Sequence, residues 1–171
     1  MFNDYCFVFM KNILLKIFCF SVLVSVFVSC NKDVVFDESM PIDKDGWNMT
    51  ERKVFEVDIS QKDIVYDYKF ALNLRNTSDY KYNNIFFLIT TVYPDGSITR
   101  KDTVECIVAN PDGTWKGKGN SNIKDNRFWF AKNVKFPQKG KYVFKIEQAT
   151  KDTLLTGIKD VGLHIEKQPL Y

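Results

Sequence analysis

Alternation of apolar and polar side chains with a period of two residues is the feature that most constrains the fold of this chain. It is clearest in residues 66–75, where Tyr66, Tyr68, Phe70, Leu72 and Leu74 alternate with Asp67, Lys69, Ala71, Asn73 and Arg75. Successive side chains of a strand point to opposite faces of a sheet, so this pattern indicates a half-buried antiparallel strand. The chain is therefore expected to build sheets rather than helices.

The same period recurs along the chain, with turn residues between the apolar runs. We predict strands at residues 55–59, 66–75, 85–93, 98–108, around Trp115, and at 128–136, 142–146 and 161–165. Residues 85–93 are apolar or threonine on both faces, which predicts a central strand covered on both sides. Turns are predicted at 93–96, 111–113 and 137–140, where proline presets φ and glycine accepts a positive φ. About eight short strands predict an all-β fold, a two-layer antiparallel β-sandwich of the jelly-roll or immunoglobulin-like kind.

The N-terminal region indicates a bacterial lipoprotein. Lys11 and Lys16 give a cationic start, residues 13–28 are apolar, and Ser29 precedes Cys30. These features are typical of a signal peptide, so residues 1–29 are expected to be removed and Cys30 to carry lipid. The apolar run is interrupted by Lys16 and is shorter than the roughly 20 residues of a membrane span, which disfavours a transmembrane helix. Translation is expected to start at Met10, the beginning of a well-formed signal sequence.

Residues 30–50 are predicted to be a lipid-anchored tether, and residues 51–168 the sandwich domain. The tether is acidic and contains Pro41 and Gly46, which interrupt regular structure. Its apolar side chains could also pin it to the domain as an edge strand. These are Val34, Val35, Phe36, Ile42 and Trp47.

Removal of the signal peptide changes the cysteine count. Cys6 and Cys19 leave with it and Cys30 carries lipid, so Cys106 has no intrachain disulfide partner. Cys106 is predicted to be a small buried side chain on a strand rather than a reactive thiol. The formal net charge is only +3, and lysines interleave with acids. We therefore expect no nucleic-acid partner.

The sequence contains no recognisable catalytic motif. His164, the single histidine, alternates with Leu163 and Ile165 and is predicted to point outward into solvent. Neither a Gly-x-Ser-x-Gly motif nor a Cys/His pair with metal-ligand spacing occurs. We therefore expect no enzyme activity. A glycosidase-like pair of acids would require the fold to bring together two of Asp102, Glu105, Asp112 and Asp125.

Residues 113–126 form a glycine-containing segment flanked by oxygen-bearing side chains, which could in principle hold calcium. The oxygens belong to Asp112, Asn120, Asn122, Asp125 and Asn126. Because Lys116, Lys118 and Lys124 oppose a cation, an ordered loop without metal or other cofactor is expected.

Four aromatic residues are candidates for a surface that binds sugar rings or a protein partner. They are Trp115, Trp129, Tyr80 and Tyr82. Aromatic side chains on strands more often belong to the core, and both alternatives stay open.

A series of short motifs runs through nearly all of the mature chain. The motifs are Thr77-Ser78-Asp79-Tyr80-x-Tyr82-x-Asn84, Tyr93-Pro94-Asp95-Gly96, Asp102-Thr103-Val104-Glu105-Cys106, Pro111-Asp112-Gly113-x-Trp115-x-Gly117-x-Gly119, Phe136-Pro137-x-x-Gly140-x-Tyr142-x-Phe144 and Gly157-Ile158-x-Asp160-Val161-Gly162-Leu163-x-Ile165-Glu166-Lys167. In these motifs the chain resembles the GldH family of gliding-motility lipoproteins.

The resemblance implies a lipid-anchored protein of the outer membrane in Bacteroidota-type bacteria. It implies envelope proteins of a gliding and secretion apparatus as partners, and it supplies no catalytic residue. The alternative function is a surface lipoprotein module that binds glycans through the four aromatic residues.

Overall fold

The computed structural model describes residues 33–99 and 101–169. They form ten strands: β1 (Val34–Pro41), β2 (Trp47–Asn48), β3 (Arg52–Ile59), β4 (Tyr68–Thr77), β5 (Asn84–Val92), β6 (Asp102–Ile107), β7 (Ile123–Val134), β8 (Gly140–Gln148), β9 (Leu154–Leu155) and β10 (Ile158–Lys167). Nowhere in this described part is there a helix long and apolar enough to cross a membrane. The predicted signal peptide, the start at Met10 and Cys30 lie outside the described residues.

Eight of the strands form two antiparallel four-stranded sheets. The first sheet has the order β1-β10-β4-β7, the second has the order β3-β8-β5-β6, and β2 pairs with β9. Apolar side chains from both sheets meet in one core, which is the arrangement of a two-layer fold. The predicted all-β sandwich is confirmed. Strands β1 and β7 are the edges of the first sheet, and β3 and β6 are the edges of the second.

Alternation along β3 and β4 produces much of this core. On β3 the buried side chains are Phe55, Val57 and Ile59, and exposed Glu56 and Asp58 lie between them. Burial of each large apolar side chain stabilises a fold by about 1.5–3 kcal/mol. On β4 the buried apolar side chains are Tyr68, Phe70, Ala71, Leu72 and Leu74.

Strand β5 is an interior strand, as predicted, but only one of its faces is fully buried along the strand. Ile85, Phe87 and Ile89 lie in the core, whereas Phe86 and Leu88 on the opposite face are partly exposed. The prediction that both faces are covered is wrong. The outer face of β5 is partly exposed because the described residues form two layers, and the outer side of the second sheet meets solvent.

Two predicted turns have the expected backbone. Gly96 N donates to Tyr93 O at 2.9 Å and Gly113 N donates to Asn110 O at 2.9 Å, and both glycines have a φ of 83°. The strand predicted around Trp115 is wrong, since this residue makes only an isolated bridge to Ala109. The Trp115 side chain packs against the core, which explains its apolar character without a strand.

The segment that precedes Thr50 takes part in the sandwich from Val34 onward. Strand β1 pairs with β10 from Val34 opposite Glu166 to Pro41 opposite Asp160. These pairs attach the described start of the chain to the first sheet along the full length of β1.

Cys106 lies on β6 with no exposed surface. Burial, together with the charge of Glu105, raises the pKa of its thiol to about 12. The predicted buried side chain is confirmed, and the thiolate needed for nucleophilic reactivity is disfavoured.

Candidate functional site

The outer side of the first sheet carries a connected cluster of polar side chains, which we call the polar face. Directly paired residues of neighbouring strands point to the same side of a sheet. The register places Asp37, His164, Ala71 and Trp129 in one row across the four strands. The polar face consists of Asp37, Lys69, Asn73, Arg127, Trp129, His164 and Glu166.

His164 lies at the centre of the polar face. Its Nδ1 is 3.0 Å from Asp37 Oδ2, and its Nε2 is 2.8 Å from Glu166 Oε2 and 3.4 Å from Arg127 Nη1. The side chain points to the outer side of the sheet, but it is only 1% exposed. The prediction of a solvated histidine is therefore wrong, because neighbouring strands supply side chains that cover it.

Ala71 makes room for this covering. It lies between His164 and Trp129 in the row, and its methyl group leaves space above the sheet. The Trp129 ring reaches across this space to His164, with ring centroids 5.5 Å apart and planes at 78°. This edge-to-face arrangement is favourable for aromatic rings.

Arg127 connects the two edges of the first sheet. Its Nε donates to Asn73 Oδ1 at 2.7 Å, and its Nη2 donates to Asp37 Oδ2 at 3.0 Å. Asn73 Nδ2 donates to Asp37 Oδ1 at 2.7 Å. Asp37 belongs to edge strand β1, so this network fastens β1 to the rest of the sheet. Gly162 of β10 lies in the same row as Asn73 and Arg127. A Cβ atom on residue 162 would stand 2.6 Å from Glu38 O, which is too close for a side chain.

Lys69 completes the polar face on the other side of His164. Its Nζ is 2.5 Å from Glu166 Oε1 and 4.4 Å from the centroid of the Trp129 ring. A lysine over an indole is a favourable cation–π contact. The contact holds Trp129 in place as a cover over His164.

Both carboxylates beside His164 are stabilised in their charged form. Burial opposes ionisation of Asp37, but His164, Arg127 and Asn73 outweigh it and lower the pKa of this carboxyl. Burial likewise opposes ionisation of Glu166, but Lys69 and His164 lower its pKa. Both carboxylates are therefore ionised at neutral pH, where Asp37 pairs with Arg127 and Glu166 pairs with Lys69.

These pKa shifts predict a loss of stability in acid. The folded pKa values of Asp37 and Glu166 lie below the unfolded values of about 3.9 and 4.3. The stabilisation is thus fully present above about pH 4.3 and is lost as pH falls through the folded values. Urea midpoints between pH 2.5 and 6 measure this. An Asp37→Asn variant should show a shallower pH dependence, and an unchanged slope would contradict the assignment to Asp37.

The four aromatic candidates lie in different environments. Trp129 is 40% exposed on the polar face, whereas Trp115 packs against the core. Tyr80 is 3% exposed and its hydroxyl donates to Asn84 O at 2.8 Å. Tyr82 is 37% exposed, with its ring centroid 5.8 Å from that of Tyr80. The structure brings the two tyrosines together, whereas Trp129 lies on the polar face and Trp115 packs against the core.

The oxygen atoms considered for calcium serve the turns of their own loop. Asp112 Oδ1 accepts from Thr114 N at 3.0 Å, and Asn120 Oδ1 accepts from the backbone of Asn122 and Ile123. Among residues 33–99 and 101–169, no group of three or more His, Cys, Asp or Glu side chains is placed to hold a metal ion.

The acids considered for a glycosidase pair are also distributed over separate places. Asp102 lines an apolar cleft between β6 and β7, while Asp125 lines a different, polar cleft on the first sheet. Glu105 accepts from Asn84 Nδ2 at 2.7 Å.

Sequence reasoning missed the polar face, because its members come from four strands and no local motif joins them.

Comparison with models of known protein families shows to which family this chain belongs. Residues 34–165 match the family model for the GldH lipoprotein, a range that starts with β1 and reaches into β10. The chain belongs to the GldH lipoprotein family. As a member of a lipoprotein family, it is a membrane-associated protein of the cell envelope. Cys30 precedes the matched range, so its lipidation stays a prediction.

Two relatives of the GldH family support this assignment. A gliding motility lipoprotein GldH homolog from Christiangramia forsetii is 35% identical over 159 residues, which cover 89% of this chain and 95% of the relative. The gliding motility lipoprotein GldH of Flavobacterium johnsoniae is 36% identical over 147 residues, covering 82% of this chain and 89% of the relative.

The solved structures that are similar to this GldH family member include an insecticidal toxin. The insecticidal delta-endotoxin Cry8Ea1 from Bacillus thuringiensis is 13% identical, with a TM-score of 0.46. The match covers 75% of this chain but spans only 20% of the toxin chain. It supports no argument about function.

Proposed function

We propose that this chain is a non-catalytic assembly component of an envelope apparatus for gliding and secretion, held at the outer membrane by lipid on Cys30. The observation that carries the proposal is membership of the GldH family, in which the Flavobacterium johnsoniae relative is named a gliding motility lipoprotein. The domain would hold envelope proteins of the apparatus as partners.

The attachment of β1 supports a tethered role. Cys30 precedes Val34 by four residues in the sequence, so a pull on a lipid anchor would enter the domain through β1. Strand β1 is bonded along its length to β10, and Asp37 is tied to Asn73 and Arg127 beyond β10. These contacts would distribute a pulling force over the first sheet, so that β1 would not separate from the sheet alone.

The chemistry of the described residues supports a non-catalytic role. A general acid in an enzyme commonly needs a carboxyl with a raised pKa. Each carboxyl with a displaced pKa in the described part of the chain is displaced downward. His164 is enclosed by charged partners instead of facing a hydroxyl or thiol nucleophile.

Edge strands are suitable places for protein partners, because their backbone groups can pair with another chain. Strand β6 forms one edge of the second sheet and carries Ile107, which is 45% exposed. Strand β3 forms the other edge and carries Val54, which is 37% exposed. Exposed apolar side chains on an edge strand favour contact with a partner.

Deletion of the gene tests the proposed function. We expect the deletion strain to lose assembly of the envelope apparatus, export of its surface proteins and gliding where the parent glides. A plasmid copy of the full chain should restore all three. Normal assembly after complete loss of the protein would refute the proposal.

A further inference from the structure

A basic cleft lies on the first sheet, where it shares Asn73 and Arg127 with the polar face, and Ile107 of β6 also lines it. It has a volume of about 610 Å³, which is within the usual range of small-ligand sites. Its cationic lining is Arg75, Lys116, Lys118 and Arg127, and its acidic lining is Asp125 and Asp160. Cations therefore exceed acids by two among the residues that line the cleft.

The two arginines are held in place by other side chains. Arg75 is bound to Asp160 through Nε at 2.6 Å and Nη2 at 2.5 Å. Arg127 is held by Asn73 and Asp37. A guanidinium fixed in this way loses little side-chain freedom when it binds an anion.

The two lysines are free to bind a ligand. Lys116 and Lys118 are exposed, and neither forms an ion pair with any described residue. They are two positions apart and both line the cleft, so their side chains can contact the same ligand. Trp115 packs against the core beside them and anchors this segment.

The segment is also fixed against β7. Lys118 N donates to Asp125 O at 2.9 Å, and Asp125 N donates to Lys118 O at 2.7 Å. A Cβ atom on Gly117 would stand 2.8 Å from the Asn126 side chain, so glycine permits this close approach. The lysines thus project from a preformed backbone.

We propose that the basic cleft binds an acidic saccharide, whose carboxylates pair with Lys116, Lys118 and the two arginines. Ser39 and Asn126 also line the cleft, and the Ser39 hydroxyl and the Asn126 Oδ1 atom are suited to sugar hydroxyls. This binding activity goes beyond the assembly role proposed above and does not depend on it.

The surroundings of the cleft favour a saccharide over an acidic peptide strand or a membrane surface. A peptide strand would pair with backbone groups of an edge, but Asp125 of β7 is already paired with Lys118 at the cleft. The cleft includes Ser39 and Asp160, which lie toward the Pro41 end of β1. Val34, at the opposite end of β1, is nearest in sequence to Cys30. The cleft is therefore at the end of β1 farther in sequence from the predicted lipid anchor, which disfavours a membrane surface as its ligand.

Calorimetric titration of the full chain in uncharged detergent tests the proposal. The probe is tetragalacturonate, with a neutral tetrasaccharide, tetraglutamate and mixed micelles of the same detergent with anionic lipid as comparisons. We expect saturable binding of tetragalacturonate that weakens with added salt. The Lys116→Ala/Lys118→Ala variant should bind about tenfold more weakly, and Lys116→Arg/Lys118→Arg should retain binding.

The matched control is Lys62→Ala/Lys139→Ala, which removes two exposed lysines outside the cleft lining. Its affinity should stay within about twofold of the parent. The proposal is overturned by absence of saturable tetragalacturonate binding, or by an equal loss in both double alanine variants. Tighter binding of tetraglutamate or of the mixed micelles than of tetragalacturonate also overturns it.

Discussion

Replacing Trp47 with alanine is expected to lower the free energy of unfolding by about 3–5 kcal/mol, the usual cost of removing a buried tryptophan. Trp47 has no exposed surface and lies beside Phe87, with ring centroids 5.9 Å apart. Its Nε1 donates to Glu51 O at 3.1 Å. The substitution removes this bond and leaves a cavity at the β2–β9 pair. Urea denaturation of the full chain in uncharged detergent, followed by circular dichroism, measures the change.

Met49→Ala is the matched control for this substitution. Met49 is two residues away and 47% exposed, so its removal should change the free energy of unfolding by less than about 0.5 kcal/mol. Equal stability of the Trp47→Ala variant and the parent would show that residues before Thr50 do not contribute to the core.

Replacing His164 with alanine is expected to cost on the order of 2–4 kcal/mol of stability. The change opens a cavity below Trp129. It also leaves Asp37 and Glu166 without the imidazole that lies 3.0 Å and 2.8 Å from their oxygens. Detachment of β1 should accompany the loss. It would be visible as amide hydrogen exchange along β1 that is faster in the variant than in the parent, with a smaller change along β4.

The control for His164→Ala is Glu56→Ala, which breaks an exposed cross-strand pair. Glu56 Oε2 is 2.7 Å from Lys141 Nζ, and both side chains are more than half exposed. Exposed pairs contribute little to stability, so this variant should unfold close to the parent. A His164→Ala protein as stable as Glu56→Ala, with unchanged exchange along β1, would contradict the account of the polar face.

The fold could be predicted from the sequence where the alternation within one strand determines which of its side chains are buried. Phe55, Val57 and Ile59 alternate with exposed residues, and this local pattern alone assigns them to the core. Turns with glycine at a required positive φ, as at Gly96, were accessible for the same reason. Two-residue strands such as β2 and β9 carry no periodic signal and were missed.

The polar face was not accessible from the sequence, because burial there depends on register between distant strands. Alternation correctly places His164 on the outer side of β10, but it does not reveal that Trp129 and Asp37 cover it. The same limit applies to the basic cleft, in which Lys116 faces side chains of β4 and β7. The lysines that argued against calcium in the loop are the ones now proposed to bind an anion.

The most direct test of the central claim, that this domain works while tethered through Cys30, is rescue of the deletion strain by Cys30→Ala. We predict that this variant folds but incorporates no labelled palmitate, leaves the membrane fraction and fails to restore assembly of the apparatus. Cys106→Ala, which changes the other cysteine of the predicted mature chain, should keep the label and restore assembly. Full rescue by the unlipidated Cys30→Ala protein would contradict the account.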